Sequence, residues 1–84
     1  MIYQINLSSD AQRSLERMIS SLRIRIERAL ESLEQNPFGG KKLHGEYKNC
    51  YSIRIWPYRV LYEIYKKHLI VNVIRIAHRK DVYR

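Results

Sequence analysis

Eighty-four residues, 45% hydrophobic and 29% charged, without repeats or low-complexity segments, describe an ordinary globular chain of one expected domain, residues 1–84. The formal charge of +8 is unevenly laid out: basic and acidic residues cancel over the first forty positions, and from residue 41 onward eleven Lys and Arg face only Glu46, Glu63 and Asp81. That field favours a polyanion or an acidic protein as partner. A lone Cys50 leaves no internal disulfide or thiolate metal site, and no stretch reads as a membrane span or signal peptide, so a soluble, cytoplasmic protein is expected.

Ile2, Tyr3, Ile5 and Leu7 are broken by Gln4 and Asn6, a near-alternation that predicts a first strand of about six residues. The stretch from Ser9 to Gln12 has the spacing of a capping box and predicts a helix start. Ala11, Leu15, Met18, Ile19, Leu22, Ile26, Ala29, Leu30 and Leu33 then recur at steps of three and four, one apolar stripe reaching about Gln35. Ser20 and Ser21 are placed to cap a second helix, which favours an antiparallel helical pair over one long rod. Asn36-Pro37 stops the run, and residues 36–45, holding all three glycines, predict the main loop.

Beyond that loop the period becomes two. Tyr51, Ile53 and Ile55 alternate with Ser52 and Arg54; Trp56-Pro57 forces a tight break; Tyr58, Val60, Tyr62 and Ile64 alternate with Arg59, Leu61 and Glu63. Lys66, Lys67 and His68 predict a turn, and residues 69–77 a last strand. The expected fold is α+β: an N-terminal strand and a two-helix hairpin packed on an antiparallel meander, in the order β-α-α-β-β-β. Alternation places Arg54 and Arg59 on the sheet face away from the helices, on neighbouring strands, near enough to share one phosphate; that face is expected to be solvent-facing. Most of the tyrosines read as core or sheet-edge packing. Lys41 and Lys42 read equally well as RNA contacts and as ordinary loop charges.

In order and spacing, Pro37-Phe-Gly-Gly-Lys-Lys-Leu-His-Gly45, Tyr51-Ser-Ile-Arg-Ile55, Tyr58-Arg-Val-Leu-Tyr-Glu-Ile64 and His78-Arg-Lys-Asp-Val-Tyr83 resemble the RelE/ParE superfamily of type II toxins. The resemblance implies this same element order and a cognate antitoxin that covers the basic face and helices. In the RelE-like branch it implies ribosome-dependent cleavage of mRNA without metal or other cofactor, by attack of a ribose 2′-hydroxyl on the adjacent phosphate. Arg54 and Arg59 then match basic positions that stabilise the phosphate, Tyr83 matches a C-terminal tyrosine that orients the substrate base, and Arg79 and Lys80 fill the basic stretch before it. RelE proper carries lysine where this chain has Ser52, and His78 is the expected substitute for proton transfer. The alternatives are a ParE-like toxin that binds DNA gyrase, and an inactive RNA-binding relative.

Overall fold

The computed structural model describes residues 2–82. In chain order these form β1 (Gln4–Leu7), α1 (Ser9–Glu16), α2 (Ser20–Gln35), a 3-10 turn (Pro37–Gly39), β2 (Lys41–Lys42), a second 3-10 turn (Gly45–Tyr47), β3 (Cys50–Ile55), β4 (Tyr58–Tyr65) and β5 (Ile70–His78). Five strands make one sheet in the order β1-β5-β4-β3-β2. The expected α+β fold is present. The meander β2 to β5 is antiparallel, whereas β1 runs parallel beside β5, with Gln4 opposite Ile70 and Leu7 opposite Val73. Parallel pairing needs a long crossover, and the two helices lie in the connection between β1 and the meander.

Local chemistry moves several boundaries. Tyr3 donates its amide N–H to the Glu34 carbonyl at 2.9 Å, tying the chain to the end of α2, and the first strand starts at Gln4. Leu69, expected in the last strand, has φ 53°, a left-handed conformation that closes the β4–β5 turn. Lys41 and Lys42, expected in a loop, form a short edge strand on β3.

The capping box at Ser9 is corrected by one residue: Ser8 is the N-cap of α1, its Oγ accepting from the Ala11 N–H at 3.0 Å and donating to the Ile74 carbonyl at 2.6 Å. Neither Ser20 nor Ser21 caps α2; Ile19 stands at that position with no side-chain cap. Ser8 therefore joins the helix start to the middle of β5. Ser8→Ala should destabilise the fold by about 1–2 kcal/mol, read as a Tm lower by about 5–15 °C, whereas Ser9→Ala, at an exposed site, should leave Tm nearly unchanged.

The core lies between the helices and one sheet face. Ala11 and Leu15 from α1, and Ile26, Leu30 and Leu33 from α2, meet Ile55, Val60, Tyr62, Val71, Val73 and Ile76. One irregularity sets the phase of β5. Leu61 pairs with Arg75 and the next residue, Tyr62, with Val73, so Ile74 is an extra residue bulged between them. Without it, strict alternation from Val71 and Val73 would turn Arg75 and Ala77 toward the helices. With it, Ile76 enters the core and Arg75 faces the other way.

Tyr62 is the largest fully buried side chain among the described residues. Its ring stacks on Tyr51 at 5.7 Å between centroids, and its hydroxyl donates to the Pro37 carbonyl at 2.7 Å, holding the 37–40 segment against the sheet. Gly40 permits this approach, since a Cβ there would collide with the Tyr62 hydroxyl and lie 3.0 Å from the Ser52 carbonyl oxygen.

Candidate nucleic-acid interface

The register brings Arg54 and Arg59 directly opposite each other on the face away from the helices. Side chains so paired have Cβ atoms about 4.5–5.5 Å apart, and two like charges there oppose pairing. Arg54 is exposed and Arg59 half-buried. Glu63, further along β4 on the same face, is engaged elsewhere: its Oε1 accepts from the Tyr65 hydroxyl at 3.0 Å and from Asn72 Nδ2 at 3.5 Å. The arrangement concentrates guanidinium charge at the β3–β4 end of the sheet.

This face is more closed than alternation implies. Ser52 and Leu61, each 2% exposed, and Cys50 are buried on it, although none belongs to the helix-side core. Burial pushes the Cys50 thiol up, with Glu63 adding to the shift, so it remains a protonated filler rather than a nucleophile. Leu61 sits between Ser52 and Arg75 across the sheet, and the stems of long side chains such as those of half-buried Arg59 and Arg75 can cover apolar surface there.

Ser52 has a defined role in this geometry. Its Oγ accepts a hydrogen bond from Arg59 Nη1 at 3.0 Å. The serine that stands where the resemblance expects lysine thus holds the guanidinium of Arg59 along β3, a bond to a charged donor in a nearly dry position. The periodicity that marked Ser52 as facing away from the core carried no sign of this contact.

The other expected site residues divide. Lys41 pairs with Ser52 and shares its face, one row in from the arginines; Lys42 pairs with Tyr51, and lines a different hollow with Phe38, Tyr51, Ile64 and Lys66. Arg79 lies at the arginine end of the sheet: its N–H donates to the Pro57 carbonyl at 2.9 Å, and its guanidinium carbon lies 4.7 Å from the centre of the Trp56 ring. Lys80 is exposed in the following turn, its N–H donating to His78 Nδ1 at 3.3 Å. Tyr83 lies outside the described residues.

His78 is not brought to the arginines. The bulge that turns Arg75 outward leaves Ala77 opposite Arg59 and His78 opposite Tyr58, whose ring it meets edge-on at 5.9 Å. It lines a hollow of about 250 Å³ with Ser14, Arg17, Met18 and Asp81, on the helix side of the sheet.

With fold and site in view, comparison with known proteins decides the family. The family model described as the ParE toxin of type II toxin-antitoxin systems matches residues 5–83. The chain belongs to the RelE/ParE superfamily of type II toxins. It is 34% identical over 86 residues to the toxin RelG of Mycobacterium tuberculosis, an alignment covering 100% of this chain and 99% of that one. The fold matches a chain of the M. tuberculosis RelBE2 toxin-antitoxin complex with a TM-score of 0.83 at 30% identity, covering 94% of this toxin and 100% of that chain. A chain of the E. coli RelBE complex matches with a TM-score of 0.80 at 23% identity, covering 90% and 95%, a likeness of fold.

Proposed function

We propose that this toxin stops translation by cutting mRNA on the ribosome. The observation that carries this reading is the directly opposed Arg54–Arg59 pair, with Arg59 aimed by buried Ser52. Two arginines seated directly opposite each other bring two guanidinium groups within reach of one anion, and planar forks of N–H donors suit phosphate oxygens. In the reaction, the 2′-hydroxyl gives its proton to solvent water, its oxygen forms a bond to phosphorus, and the bond to the 5′ oxygen breaks as that oxygen takes a proton from water. Negative charge builds on the non-bridging oxygens, where the arginine pair stabilises it. Arg79 and Lys80 extend the positive surface along the RNA.

In this reading His78 does not touch the scissile phosphate, because it faces the helix side of the sheet. His78→Gln should leave single-turnover cleavage on programmed ribosomes close to wild type, whereas loss of a general base typically costs about 10²–10⁴-fold. A loss of that size would put the imidazole back into the mechanism.

The toxins of the RelBE2 and RelBE structures are seen in complexes with antitoxins. We propose a cognate antitoxin here as well, with an acidic segment that covers the charged face. Primer extension on translating ribosomes after induced expression tests the nuclease reading. Cuts in the A-site codon are expected; intact mRNA together with DNA cleavage complexes would favour the gyrase-directed alternative.

A further inference from the structure

One exposed side chain at this end of the sheet has no part in the scheme above. Trp56 is 54% exposed, more than Phe38 or Tyr65, and it opens the two-residue turn between the strands that carry Arg54 and Arg59. The backbone under it is held from two sides. Its own carbonyl accepts from Arg25 Nη2 of α2 at 3.2 Å, and the next carbonyl, that of Pro57, accepts the Arg79 N–H at 2.9 Å. The Arg79 guanidinium lies over the ring at 4.7 Å. An indole half in water gains little from burial, so core packing does not account for it.

We infer that Trp56, clasped by Arg79, is a stacking site for an unpaired nucleobase of single-stranded RNA, next to the phosphate held by Arg54 and Arg59. The location beside a phosphate rests on the RNA-cutting reading. A guanidinium lying over an indole is held by attraction to the ring face while its N–H edges stay free for phosphate oxygens. The remaining exposed ring surface meets a base by stacking, as single-strand binders do, and stacking discriminates by ring area rather than by hydrogen bonds. Purines are therefore held more tightly than pyrimidines.

Trp56 is the one tryptophan of the chain, so its emission reports on this site alone. The test titrates the full-length toxin with 2′-O-methyl hexa-adenylate, which lacks the attacking hydroxyl, and with an abasic hexamer of equal charge. Binding is followed separately by anisotropy of a labelled oligonucleotide. The base-bearing hexamer should quench Trp56 and bind about 5- to 100-fold more tightly than the abasic one. Trp56→Leu should erase that ratio and Trp56→Phe should restore part of it, both with unchanged circular dichroism. Equal binding of the two hexamers, absent quenching, or a ratio that survives Trp56→Leu would overturn the proposal. Quenching by a toxin that makes no ribosomal cuts leaves the stacking site standing and removes the nuclease reading. Cuts without quenching do the reverse.

Discussion

Arg59→Ala should lower mRNA cleavage on the ribosome by about 100- to 1,000-fold, the scale of losing one donor aimed at a developing oxyanion. Arg59 is the better-held member of the pair: half-buried, with Nη1 bonded to Ser52 at 3.0 Å, it comes to the substrate already oriented. Arg54, exposed on the facing strand, should cost less on removal, because its side chain is not fixed beforehand. Ser52→Ala, which leaves both charges and removes only the aim, should lower cleavage by about tenfold, equivalent to about 1.4 kcal/mol. Arg59→Lys should fall between wild type and alanine, since an ammonium cannot present the same planar fork. The fold should survive Arg54→Ala and Arg59→Ala, because removing one of two opposed like charges relieves repulsion, which for Arg59 offsets the lost hydrogen bond. Near-wild-type cleavage by Arg59→Ala, with intact circular dichroism, would rule out the phosphate-binding pair.

The largest expected loss of stability is at Tyr62. Tyr62→Ala removes a ring with 0% exposure, its stacking on Tyr51 and its hold on Pro37, and should cost about 3–5 kcal/mol. A chain of this length typically has a total stability of about 4–13 kcal/mol, so the variant is expected to be unfolded or nearly so at 37 °C. Tyr62→Phe keeps the ring but leaves the buried Pro37 carbonyl without its donor, at about 1–3 kcal/mol. Burial, the largest cause, pushes the Tyr62 phenol up from 10.0 to about 12. The folded state thus holds this proton more tightly than the unfolded chain, and the contribution is complete below pH 10 and lost as pH rises toward 12. Between those values wild type should lose about 2 kcal/mol more stability than Tyr62→Phe, measured by urea unfolding along a pH series. Parallel pH curves for the two proteins would show that the phenol is not buried as described.

Much of the fold was legible because the relevant interactions are local or periodic. The three- and four-residue spacing of Ala11, Leu15, Ile26, Leu30 and Leu33 is a direct image of one buried helix face, and the alternation from Tyr51 to Ile64 is that of two strands with one face on a core. A two-residue break at Trp56-Pro57 between those runs is enough to put Arg54 opposite Arg59, so the centre of the candidate site follows from spacing. What escaped were contacts made across long stretches of sequence. Ser8 rather than Ser9 caps α1 because its hydroxyl also finds the Ile74 carbonyl, a partner no local pattern contains. Trp56 marked a turn in the sequence, and its place beneath Arg79 depends on where the last strand ends.

The sequence by itself determined the helical and β halves, the turn at Trp56-Pro57, the basic second half and the pairing of Arg54 with Arg59, since each depends on residues close in the chain. Tertiary structure alone decided the parallel seat of β1, the bond from Arg59 to Ser52 and the side on which His78 lies. For His78 the physical reason is the bulge at Ile74. A period of two carries no memory of an inserted residue, and only the demand to bury Val73 and Ile76 together while keeping the charge of Arg75 out of the core makes the insertion favourable. That single residue turns Ala77 toward Arg59 and sends His78 to the helix side.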